Sequence, residues 1–142
     1  MKIFNMRKDD GILFRCDCSC SLVHIEDYEG DYIVYSEYSC LRKPQSSMIF
    51  LKEQVKEAIS QLQKSPYQEV DNDVLVKETF LFDITSKRVL RVIKEGGSLE
   101  TYWFSIEKPG VIFKNRLKTL SEICVDIKEG DKILNAIIDM CS

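Results

Sequence analysis

One histidine, three prolines and one tryptophan are all that this chain of 142 residues holds of those types. With His24 alone, a metal centre built on several imidazoles is excluded, and any Cys-His catalytic pair would rest on that one side chain. No stretch approaches the roughly 20 apolar residues that span a bilayer. The opening MKIFNMRKDD lacks the apolar centre of a secretory signal, so a cytoplasmic protein is expected. There is no P-loop, no dinucleotide-binding glycine pattern, no His-Glu-x-x-His and no nucleophile elbow. Neither an enzyme nor a cofactor is therefore expected. A basic excess is also absent, since the net charge is −3. That weighs against a strong polyanion binder, whose surface is usually basic.

What is present suits a folded chain, because 44% of it is apolar. The six cysteines, in a reducing compartment, read as buried apolar residues or metal ligands rather than a disulfide framework. In residues 12–20, Phe14, Cys16, Cys18 and Cys20 alternate with polar residues, which predicts a strand. His24 falls in phase with them. Side chains on one strand face lie about 7 Å apart, too far to share one tetrahedral ion without a bend. An inert cysteine row is thus expected, with no metal assigned.

Aromatic and β-branched residues at 32–38, 74–82, 88–94 and 101–106 predict further strands. Val55, Ala58, Ile59 and Leu62 recur at helical spacing, predicting a helix over 52–64 that Pro66 stops. Leu117, Leu120, Ile123, Cys124 and Ile127 predict another over 115–127, ended by Gly130. Asp131 would then cap a last helix through Met140.

The chain also repeats itself loosely. Lys43-Pro44 precedes Met48-Ile49-Phe50-Leu51, and Lys108-Pro109-Gly110 precedes Val111-Ile112-Phe113. The expected fold is α+β: two antiparallel sheets in a duplicated sheet-plus-helix arrangement with an extra C-terminal helix. Residues 1–64 form the first unit, 65–73 a polar linker and 74–142 the second, within one domain. Residues 1–73 carry nine Lys/Arg against thirteen Asp/Glu, and 74–142 carry eleven against ten. An anion-binding face would therefore belong to the second unit. Its candidates are Lys87, Arg88, Arg91, Lys94, Tyr102 and Trp103, with Lys114, Arg116 and Lys118 opening the following helix, cations for phosphates and rings for bases. The bland alternative is a solvated sheet face around a core tryptophan.

Residues 33–62 resemble the single-stranded-DNA-binding coactivator family called positive cofactor four. The match rests on Ile33, Glu37-Tyr38, Lys43-Pro44, Ile49-Phe50-Leu51 and Glu53-Gln54. The second unit matches through Tyr102, Lys108-Pro109-Gly110 and Ile112. Two such units in one chain are similar to the plant Whirly architecture. The resemblance implies binding of single-stranded DNA or RNA. The family's basic strand residues are mostly replaced in the first unit, which leaves the second as the contact face. The Phe14-x-Cys16-x-Cys18-x-Cys20 opening resembles small proteins encoded by bacteriophages of low-GC Gram-positive bacteria, which implies a phage or prophage setting.

Two other functions stay open. One is a phage-encoded module that binds a host protein, as an inhibitor or nucleic-acid mimic, through Asp27, Glu29, Asp31 and Glu37. The other is a structural homodimer formed through the last helix or an edge strand.

Overall fold

Burial alternates residue by residue over 12–17, 22–26, 32–35, 101–104 and 122–126, as strands with one face in a core require. The computed structural model describes residues 3–5, 11–17, 20–38, 44–110 and 117–142. The first sheet contains β1 (Ile3–Asn5), β2 (Ile12–Arg15), β3 (Leu22–Tyr28), β4 (Tyr32–Tyr38) and β5 (Pro44–Leu51). Helix α1 (Lys52–Lys64) follows it. The second contains β6 (Gln68–Asp71), β7 (Val74–Phe82), β8 (Val89–Gly97), β9 (Thr101–Pro109) and β10 (Leu117–Asp126), followed by α2 (Ile127–Cys141). Among the described residues both sheets are five-stranded antiparallel meanders, with neighbours in sequence paired in space. The architecture is the α+β arrangement that the strand and helix patterns predict.

Several expectations are corrected. Residues 117–126 are strand β10, not helix, and pair with β9 from Leu117↔Pro109 to Asp126↔Thr101. The C-terminal helix is therefore the counterpart of α1 rather than an addition to the repeat. Gly130 lies inside α2, whose N-cap is Asp126, with its carboxylate accepting from the Glu129 N–H at 2.9 Å. Residues 65–73 hold strand β6, which pairs with β7. The predicted strand over 12–20 ends at Arg15, and Cys18 lies outside the described residues.

The pairings reveal a closer repeat than the Lys-Pro motif suggested. Ile12 pairs with Ile25 and Ile25 with Tyr35; Thr79 pairs with Val92 and Val92 with Phe104. Phe14 and Val23 correspond in the same way to Leu81 and Leu90. Tyr35 pairs with Met48, and Phe104 with Ile123. Met48-Ile49-Phe50 leads into α1 as Ile123-Cys124-Val125 leads into α2.

Reciprocal contacts join the halves. The Asp17 N–H just past β2 donates to the Cys124 carbonyl on β10 at 3.0 Å. The equivalent Ile84 N–H just past β7 donates to the Ile49 carbonyl on β5 at 2.9 Å. Helix α1 packs against β7, while α2 reaches β2, and the two helices touch. One continuous core results, drawing Phe14, Tyr35 and Phe50 from the first sheet and Leu90, Phe104 and Val125 from the second. Val55, Ile59 and Leu62 anchor α1 in it, each contributing about 1.5–3 kcal/mol by burial.

Glu37 is only 1% exposed and accepts a hydrogen bond from the Ser121 hydroxyl on β10. It joins the two sheets and is not part of an acidic surface. Burial raises its pKa, and the Ser121 bond opposes the rise. A carboxyl group with a raised folded pKa costs stability once pH climbs through the window between its unfolded and folded values. Glu37→Gln should therefore raise the melting temperature near pH 7 and lose that gain toward about pH 4. Thermal denaturation at the two pH values checks it.

Candidate functional site

Alternation assigns the side chains of the second sheet to two faces. One face meets the core in rows such as Thr79, Val92, Phe104 and Ile123. The other turns outward in four rows across β7, β8, β9 and β10. These are Val76, Glu95, Thr101 and Asp126; Glu78, Ile93, Trp103 and Cys124; Phe80, Arg91, Ser105 and Glu122; and Phe82, Val89, Glu107 and Thr119. The outward rows thus hold Glu78, Glu95, Glu107, Glu122 and Asp126 against one cation, Arg91. Glu78, Glu95, Glu122 and Asp126 form an acidic surface with an aromatic insert, while Glu107 is buried.

Arg91 is neutralised within that surface. Its Nε donates to Glu78 at 2.6 Å, and its guanidinium lies 3.6 Å from Glu107. It also sits over the Phe80 ring at 6.0 Å. Glu107 is 3% exposed; one of its oxygens accepts from Ser105 at 3.0 Å, and the other is buried with no hydrogen-bond partner among the described residues. Trp103 is half-buried and donates its indole N–H to Glu95.

The remaining cationic and aromatic candidates do not join Arg91 and Trp103. Tyr102 and Lys94 point to the core side. Tyr102 is 1% exposed, so its ring offers no face to a base. Its hydroxyl donates to Asp131 at 2.5 Å, and Lys94 reaches the same carboxylate at 3.2 Å. Burial, then the Asp131 contact, pushes the Tyr102 phenol well above its usual range. Arg88 is a structural clasp at the sheet end, donating to the Ser47 carbonyl at 2.7 Å and to Asp83 at 3.2 Å. Lys87 is exposed in the turn after β7. Lys114 and Arg116 lie outside the described residues. The predicted cluster is therefore not one basic face: adjacent strand positions such as Tyr102 and Trp103 must diverge.

Lys108 was not among the candidates from sequence, and Lys118 was placed there at the start of a helix rather than on a strand. They are register partners near the end of the β9–β10 ribbon. Like charges directly opposite one another cost stability, and among the described residues neither is ion-paired. Recognising that pair requires knowing that 117–126 is a strand.

A groove of about 370 Å³ runs between α1 and β7. Phe50, Val55, Ala58 and Leu81 form its floor, while Gln54, Glu57 and Gln61 of α1 stand along one wall. Phe82 on the other wall is 62% exposed. Among the described residues, no group of three or more His, Cys, Asp or Glu side chains could hold a metal ion. Among them, too, no helix is long and apolar enough to cross a membrane. No protein-family model, no curated protein and no solved structure matches the chain.

Proposed function

We propose that this chain is a non-enzymatic protein-binding module that receives a cationic partner on the outward face of its second sheet. The supporting observation is the row chemistry: four accessible carboxylates, Glu78, Glu95, Glu122 and Asp126, surround one already paired guanidinium and the half-buried Trp103. Such a surface repels phosphates. It speeds encounter with basic proteins and selects them by charge, while the ring adds apolar contact.

Trp103 is the chain's single tryptophan, so its emission reports on this face alone. Titration with a decalysine peptide at low salt should shift that emission, and the shift should fade as salt screens the charges. Glu78→Gln combined with Glu122→Gln should weaken the apparent affinity roughly threefold to tenfold. Glu29→Gln with Asp31→Asn, on the first sheet's turn, should leave it unchanged. An emission change produced by a single-stranded oligonucleotide and not by decalysine would contradict the reading.

Lys108 opposite Lys118 supports a second reading, a contact for single-stranded nucleic acid at the β9–β10 ribbon. Lys108→Gln with Lys118→Gln should then abolish a salt-dependent oligonucleotide shift. No shift at low salt would remove this reading.

A further inference from the structure

The two halves differ at one edge. In the first, β1 closes β2 through Ile3↔Phe14 and Asn5↔Leu13. The equivalent positions in the second half are Leu81 for Phe14 and Phe80 for Leu13. There β6 pairs with β7 only from Val74 to Val76, so among the described residues the remainder of that edge has no neighbouring strand.

We propose that this open edge of β7 receives an added strand from a partner protein: an extended segment with alternating apolar residues and basic flanks. The proposal rests on the reading of the chain as a protein-binding module and names how a partner engages it.

Backbone direction is settled by the flanking bonds. The Asp83 N–H donates to the Arg88 carbonyl, toward β8, while the Ile84 N–H donates to Ile49, away from it. Successive residues of an antiparallel strand alternate in this way. The peptide groups of Glu78, Phe80 and Phe82 therefore face the open side. Past Val76 no strand among the described residues pairs with that side, so the N–H groups of Phe80 and Phe82 face it without a ladder partner. An unpaired edge is a template for another strand, and proteins usually guard it with proline, bulges or charge. From Thr79 to Phe82 the edge reads Thr-Phe-Leu-Phe, with none of those guards.

The surroundings fit a strand with side-chain anchors. The groove beside the edge has an apolar floor, and Phe82, which lines it, is 62% exposed; Ile84, two residues on, is 52% exposed. Main-chain bonds would supply affinity, and the groove would select apolar side chains at alternate positions. Charge sets the flanks. No lysine or arginine lines the groove, Glu57 stands on its wall, and the neighbouring sheet face is acidic. The strand closing the sister edge has this same chemistry: Ile3-Phe4-Asn5 sits between Lys2 and Arg7-Lys8 in the sequence.

The test uses the full chain, labelled with nitrogen-15, and a synthetic peptide of sequence MKIFNMRK. Addition should shift the Phe80 and Phe82 amides and slow their exchange with solvent. Phe80→Pro, which removes an outward N–H from an edge, should weaken binding at least about tenfold with little change in thermal unfolding. If that variant does not fold, Phe82→Lys makes the same test at an exposed position by repelling the basic flanks.

Three results would overturn the proposal. One is unmoved Phe80 and Phe82 amides; another is a response confined to Leu13 and its β2 neighbours. The third is a free chain already dimeric, with the Phe80 amide protected, which would assign the edge to a second copy. Decalysine binding without peptide binding would defeat strand addition alone. Peptide binding without a decalysine response would defeat the outward-face reading alone.

Discussion

Gly130→Ala should lower the melting temperature by roughly 10 °C, the effect of about 3 kcal/mol in a domain of this size. Gly130 is buried in the first turn of α2, directly against the ring of Tyr102. A Cβ there would stand 1.9 Å from Tyr102 Cδ2 and 2.5 Å from its Cγ. The ring has little freedom to retreat, because it is 1% exposed and its hydroxyl is held by Asp131. In a helix, alanine would normally gain up to about 1 kcal/mol over glycine, so a loss isolates the steric term. The control is a double-mutant cycle. In a Tyr102→Leu background, where the ring is gone, Gly130→Ala should cost little or stabilise. An equal cost in both backgrounds would mean that the ring is not the obstacle.

Asp83→Ala is expected to cost about 3 kcal/mol at neutral pH, measured by chemical denaturation. The carboxylate is the hub of the β5–β7 crossing. It accepts the Ile49 N–H at 3.2 Å, the Thr85 N–H at 3.0 Å, the Thr85 hydroxyl at 2.6 Å and the Ser86 hydroxyl at 2.7 Å. Arg88 completes the set at 3.2 Å. Removing the carboxylate strands several donors and a partly buried guanidinium. Burial pushes the Asp83 pKa up, but the bonds from Thr85, Ser86 and the Ile49 backbone outweigh it and hold it below the usual carboxylate range. A lowered folded pKa contributes stability above the unfolded value, and that contribution is lost as pH falls through the folded one. Wild type should therefore lose stability below about pH 4 more steeply than Asp83→Asn. Parallel acid profiles would contradict this role. Glu37 acts with the opposite sign: its protonation adds stability as pH falls to its unfolded value, before the Asp83 contribution is lost.

Sequence patterns revealed the strands and helix that keep a clean period. The readings at 32–38, 52–64 and 74–82 coincide with β4, α1 and β7. Residues 115–127 misled because a register shift between Thr119 and Ser121 interrupts the alternation of β10. The apolar positions then fall by chance at helical intervals. Gly130 reads as a helix stop from composition, since the Tyr102 ring that requires it comes from a distant strand.

The acidic rows were hidden for a related reason. Glu78, Glu95, Glu107, Glu122 and Asp126 come from four strands, and two of the five lie on the one misread as helix. The divergence of Lys94 and Tyr102 from Arg91 and Trp103, by contrast, follows from strand alternation alone. The open edge of β7 could not be seen before the register of β6 was known.

The asymmetry between the two half-repeats is tested most directly by amide hydrogen exchange on the free, full chain. The Phe80 and Phe82 amides should exchange much faster than that of Leu13, the sister of Phe80, whose edge is closed by β1. Equal protection at Leu13 and Phe80 would contradict the account, because the second edge would then already be occupied.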